Sequence, residues 1–118
     1  MFAQINLNII NLAHRQDRKT ESLEELKRIG LDYLDDIFFE AKFVEDLGDL
    51  GCALSHAMVL SKFLFQSDRQ YALVLEDDFQ IKEPASFIET INEAILNAKH
   101  WIFFCLDTTG QCPLSLPI

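Results

Sequence analysis

The chain opens with INLNIINL, Ile5 to Leu12, a run of branched apolar residues that predicts a first strand. The polar segment AHRQDRKT follows. Leu23, Leu26 and Ile29 then recur at helical spacing, with Asp17 or Thr20 placed to cap the start and Gly30 where a C-terminal cap belongs. DIFFEAKFV, Asp36 to Val44, predicts a second strand, and EDLGDLG turns the chain. CALSHAMVLSKFLF, residues 52–65, is apolar nearly all round apart from a stripe of Ser55 and Lys62 that continues to Gln66 just beyond it, which predicts a helix buried on most of its faces. Tyr71 to Leu75 reads as a third strand. Pro84 suits the first turn of a further helix. Along it Phe87, Ile88, Ile91, Ala94, Ile95 and Ala98 give the cleanest amphipathic pattern in the chain. WIFFCL, residues 101–106, predicts a fourth strand, which DTTGQCP breaks.

The resulting order is β-α-β-α-β-α-β. Alternation with uninterrupted apolar strands predicts a mostly parallel sheet covered on both faces. Parallel strands end on one edge, and open α/β sheets bind ligands beyond those carboxyl ends. The residues that follow the predicted strands are Asn11, His14, Arg15 and Arg18, then Glu45 and Asp46, then Glu76, Asp77 and Asp78, then Asp107 and Thr108. Arginine holds phosphate oxygens in a bidentate fork. Carboxylates hold a hard divalent cation that keeps some waters and binds diphosphate. Together these residues suit a metal-diphosphate site.

Composition narrows the options. The length of 118 residues fits one domain, with no repeat and only seven Gly and Pro residues, and a chain of this size buries roughly 65% of its unfolded surface. A formal charge of −9 argues against a nucleic-acid partner and against attraction to an anionic membrane through the overall field. Cys52, Cys105 and Cys112 are odd in number and lack CxxC spacing, so free, mostly buried thiols in a reducing compartment are expected. The N-terminus has no basic n-region, and no apolar run approaches the ~20 residues that span a bilayer. A cytoplasmic protein is expected.

Within YALVLEDDFQI, side-chain alternation sends Glu76 and Asp78 to one side and Asp77 to the other. Asp78, further out, suits direct coordination of a cation, and Glu76 suits contact through water or with a ribose hydroxyl. Without metal, like-charge repulsion is expected to raise the pKa of one member of the Glu76/Asp78 pair. The alternative for so short an acidic run is a solvated turn. A His at position 56 is more often a hydrogen-bonded core residue than a catalyst, and Ser55 reads equally as a cap. No GxSxG elbow supports a Ser-His-Asp nucleophile.

Three segments, INLNIINLAHRQDR, LGCALSHAMVLSKFL and YALVLEDDFQI, are together similar to the signatures of glycosyltransferase family 25, which includes lipooligosaccharide and collagen beta-galactosyltransferases. The matching residues are Ile10-Asn11-Leu12 with Arg15 and Asp17-Arg18, then Gly51, Cys52, Ser55 and His56, then Leu75 to Asp78. The resemblance implies a GT-A-like nucleotide-sugar-binding fold. It implies inverting transfer of a hexose, often galactose, from a UDP-sugar to a saccharide or lipooligosaccharide acceptor, as in lipopolysaccharide biosynthesis. Glu76-Asp77-Asp78 would act as the DXD-like motif, with Asp78 and Glu76 on Mn2+ or a similar ion. Asn11, Arg15, Arg18, Ser55, His56, Glu76 and Asp77 would line the nucleotide-sugar site. Peripheral membrane association is compatible with such an acceptor.

Two features depart from the family pattern. The stretch between Val44 and Gly51 is short, and family members usually continue well beyond the strand matching WIFFCL. The expectation is a single, truncated domain spanning 1–118, the donor-binding half, without the catalytic base that an inverting transfer needs. A non-catalytic remnant keeping nucleotide-sugar affinity is the alternative. Missing core strands would leave a sheet edge open to self-association. A receiver-like phosphoacceptor domain shares the length and the acidic strand end, but its acidic pair belongs near the N-terminus, not after the third strand.

Overall fold

In a computed structural model the elements run β1 (Ile5–Asn11), α1 (Gln16–Arg28), β2 (Phe38–Glu40), α2 (Gly48–Gln66), β3 (Tyr71–Glu76), α3 (Pro84–Leu96), β4 (Trp101–Cys105) and β5 (Leu114–Pro117). The structure describes residues 5–34, 37–96, 101–105 and 114–117, with side chains up to residue 96. The expectations at Asp36, Ala98, Leu106, Asp107, Thr108 and Cys112, and for the Cys105 side chain, lie outside this description. The chain forms two compact units, residues 1–79 and 80–118.

The first unit carries a parallel sheet of order β2-β1-β3. Strand β1 lies in the middle, and both of its faces are buried. Ile5, Leu7 and Ile9 point one way, while Asn8 and Ile10 point the other. Burial on both faces is what a doubly covered parallel sheet shows, here in a strand where Asn6, Asn8 and Asn11 stand among the apolar residues, and the α/β class read from the sequence holds. The register sets Ile10 beside Glu76, and the Asp77 amide donates to the Ile10 carbonyl at 3.1 Å. The carboxyl ends of β1 and β3 therefore meet.

Helix α1 turns the expected face inward at Leu26 and Ile29 but not at Leu23. Ser22, Leu26 and Ile29 are buried, whereas Leu23 is exposed. Ser22 takes the inner position because its hydroxyl donates to the Asp77 carbonyl at 3.1 Å. Neither Asp17 nor Thr20 caps the helix. Arg15 occupies the N-cap without a side-chain bond, Asp17 is held by Arg15, and the Thr20 hydroxyl donates back to the Gln16 carbonyl. The other end follows the sequence. Gly30 has φ +80°, its amide donates to Lys27, and the Leu31 amide donates to Leu26, closing a Schellman turn over two buried leucines.

Strand β2 covers only part of the predicted Asp36–Val44 span, because β1 has no residue left to pair after Asn11. Ala41 still donates to the Asn11 carbonyl, but the Lys42 amide goes to the Ser55 hydroxyl. Helix α2 departs furthest from expectation. Its buried residues are Gly51, Ser55 and Val59, spaced by four, while Leu50, Leu54, Met58, Leu64 and Phe65 are exposed. The small residues decide this, since only a face without bulk lets the helix axis come close to the 41–44 backbone.

The second unit holds α3, with Phe87 and Ile91 buried and Pro84 in its first position, as its pattern predicted. Strand β4 does not extend the parallel sheet. It pairs antiparallel with β5 in a two-stranded sheet. Antiparallel neighbours need only a short connection, whereas a parallel partner needs a longer crossover.

Gly51 fixes the α2 docking distance. A Cβ there would lie 2.7 Å from the Lys42 carbonyl oxygen, a backbone atom that cannot swing away. Ser55 locks the same contact, accepting from the Lys42 amide and donating to the Gly51 carbonyl, both at 2.8 Å. The clash from Gly51→Ala, roughly 1–3 kcal/mol, outweighs the roughly 1 kcal/mol gained in helix propensity. Gly48→Ala meets nothing within 4 Å and is expected to be neutral or slightly stabilising. Urea denaturation of the two variants checks the contrast, which equal midpoints would remove.

Candidate functional site

Strand β3 ends at Glu76. The Phe79 amide then donates to the Glu76 carbonyl at 3.1 Å, closing a turn with Asp77 and Asp78 at its corners. Strand alternation stops there, and the three acids take three directions.

Asp77 faces β1 and α1. Asn11, buried at the end of β1, donates from Nδ2 to Asp77 Oδ2 at 3.0 Å and to the Arg15 carbonyl at 3.2 Å. Arg18, one turn into α1, reaches Asp77 Oδ1 with Nη1 at 3.5 Å. The side chain of Asp77 is only 14% exposed, so these donors replace most of its water. Asp78 is 64% exposed, and its one charged neighbour among these residues is the same Arg18 Nη1 at 3.9 Å. The arginine thus stands against both carboxylates.

Glu76 turns the other way, to α2. Cys52 and His56 lie four apart on that helix and share a face. The Cys52 thiol donates to Glu76 Oε1 at 2.7 Å, and His56 Nε2 lies 3.4 Å from the same oxygen. The three ligand atoms lie within 4.8 Å of one another. The thiol hydrogen bond, seconded by His56, holds the Glu76 carboxyl below its ordinary pKa. This corrects the like-charge expectation at Glu76: a proton donor on the acid outweighs a neighbouring anion. The same bond, helped by burial, pushes the Cys52 thiol up to about 11. Cys52 is free, as expected, but exposed where a buried thiol was expected.

The remaining candidates stand apart from these contacts. Arg15 is spent on Asp17 in a bidentate pair of 3.0 and 2.9 Å, which brings the Asp17 carboxyl down to about 2. Ser55 is fully buried, with its hydroxyl engaged by backbone on both sides. His14 packs edge-on against Phe43. Asp46 takes a left-handed φ of 61° in the turn before α2, a conformation aspartate tolerates. Two residues join the site unannounced. The four-residue spacing of Cys52 and His56 was a readable signal for a shared face. Ser22, an isolated serine inside a helix, gave none.

The chain belongs to glycosyltransferase family 25. The model of that family, described as Glycosyltransferase family 25 (LPS biosynthesis protein), matches residues 44–112, more than half of the chain. The match contains Gly51, Cys52, Ser55 and His56 and the run Leu75 to Asp78, while Asn11, Arg15 and Arg18 lie before it. No curated protein and no solved structure matches the chain. The family's chemistry is glycosyl transfer, which takes a sugar donor and an acceptor. No helix among the described residues is long and apolar enough to cross a membrane.

The Cys52 environment has a kinetic consequence. Thiolate is the reactive form, and a pKa near 11 leaves on the order of a hundredfold less of it at pH 8 than a free cysteine carries. Iodoacetamide labelling of the Cys52 peptide, followed by mass spectrometry, is expected to be slow despite the exposure of this residue. Glu76→Gln should speed it by about tenfold or more, because the anion that disfavours thiolate is gone. Unchanged labelling in Glu76→Gln would refute the assignment.

Proposed function

We propose that the chain binds a UDP-hexose, UDP-galactose in the first instance, with a divalent cation of the Mn2+ type, for inverting transfer to a saccharide or lipooligosaccharide acceptor. The observation that carries the reading is the meeting of Arg18 with Asp77 and Asp78 beyond the carboxyl ends of β1 and β3. Family membership supplies the reaction class.

The donor set suits a hard ion. Asp78 offers an exposed carboxylate with one distant cation beside it, and an ion that keeps its waters needs only one or two carboxylates plus phosphate oxygens. Asp78 would hold the ion directly, with Glu76 acting through water. When bound, the ion would neutralise charge gathering on the UDP leaving group. Arg18 would turn its guanidinium from Asp78 to a diphosphate oxygen, for which its planar fork is suited. Asp77, fixed by Asn11, would hold Arg18 in place during that exchange. Arg15 would enter the site only by giving up Asp17. The reading places the reaction in a reducing, cytoplasmic setting.

Calorimetry of the full chain with UDP-galactose, with and without Mn2+, tests the reading. Binding should require the ion and weaken about tenfold or more in Asp78→Ala and in Arg18→Ala, each of which removes a charged contact. Absence of Mn2+-dependent binding to any UDP-hexose would overturn the donor site. Binding indifferent to Asp78→Ala would overturn the role given to that carboxylate.

A further inference from the structure

The Glu76 side of the acidic run has a chemistry of its own. Cys52 and His56 come from one face of α2 and Glu76 from the end of β3, so two elements converge on one point. They offer one sulfur, one imidazole nitrogen and one carboxylate oxygen. We infer that Cys52, His56 and Glu76 form a second cation site, for a thiophilic divalent ion of the zinc class, with a fourth position open to solvent.

The donor set decides the class of ion. Thiolate and imidazole ligands select zinc-like ions, whereas manganese and magnesium prefer oxygen. Three protein ligands and one open position match exchangeable zinc centres, in contrast to the closed four-ligand structural kind. Bond lengths of about 2.0–2.3 Å set the edges of such a tetrahedron near 3.3–3.6 Å. His56 Nε2 and Glu76 Oε1 already stand at 3.4 Å. Cys52 Sγ and Glu76 Oε1 stand at 2.7 Å because the thiol proton lies between them. On coordination that proton leaves to solvent, and the two atoms part by less than about 1 Å, within reach of side-chain rotation alone. The side chains of His56 and Glu76 are 40% and 48% exposed, so an ion enters without backbone movement. An ion here would claim Glu76 for the α2 side and leave Asp78 alone on the Arg18 side.

Titration of the full chain with Co2+ and Zn2+ tests the site through spectra, independently of any transferase activity. One equivalent of Co2+ should give a thiolate-to-cobalt charge-transfer band and intense visible ligand-field absorption, and Zn2+ should abolish both by displacement. Cys52→Ser should remove the charge-transfer band. His56→Ala, which keeps the thiol, should weaken Zn2+ binding by about tenfold or more. The double variant Cys105→Ser, Cys112→Ser should retain the spectrum. Asp78→Ala should also leave it unchanged, which separates this site from the donor site proposed above. Absence of the band in the parent chain, its survival in Cys52→Ser, or its loss in Asp78→Ala or in the double variant would each overturn the inference.

Discussion

Asp77 is the residue on which the first unit turns. Its amide extends the β1–β3 ladder, its carbonyl receives the Ser22 hydroxyl from α1, and its carboxylate receives Asn11 and Arg18. Strand β1, strand β3 and helix α1 therefore meet at one residue. A carboxylate this enclosed is stable only when its lost water is replaced, and one amide and one guanidinium do that. Adjacent like charges would repel strongly if they shared a direction. The turn instead divides them. Asp77 is neutralised by α1, Glu76 accepts a hydrogen bond from the Cys52 thiol on α2, and Asp78 keeps its water.

The second constraint is steric. Helix α2 docks through Gly51, Ser55 and Val59, and the close approach at Lys42 leaves no room for a Cβ at position 51. This places Cys52 and His56, one residue further round the helix, against the end of β3. The Gly-Cys-x-x-Ser-His segment thus divides its labour. Glycine and serine set the helix against the 41–44 backbone, and cysteine and histidine face the acid.

Much of this was legible in the residues. The apolar runs of β1 and β3, the amphipathic stripe of α3 and the glycine closing α1 each carry a local signal that tertiary structure had no reason to override. Where the reading failed, long-range contacts had taken over. The apolar bulk of α2 suggested burial all round, but packing selected the single face that carries Gly51, Ser55 and Val59. Leu23 lost the inner face of α1 to Ser22, because a hydroxyl was needed on the Asp77 carbonyl. For β4, the apolar run identified a strand but carried no information about its partner, which is β5. Of the candidate site, the acids and Arg18 were read from strand-end geometry, whereas the separation of Glu76 from Asp78 depended on the turn closed by Phe79.

That separation bears on how one acidic run serves two kinds of ligand. A hard ion asks for exposed oxygen and phosphate, and Asp78 offers the first beside an arginine suited to the second. A thiophilic ion asks for sulfur and nitrogen, and Glu76 stands between both. Had the strand continued through Asp78, the two carboxylates would have faced one way and competed for one ion. The turn at Asp77 and Asp78 sends the two carboxylates apart, so that Glu76 reaches the Asp78 side only through water, and Asp77 holds the turn in place by spending its own charge on Arg18 and Asn11.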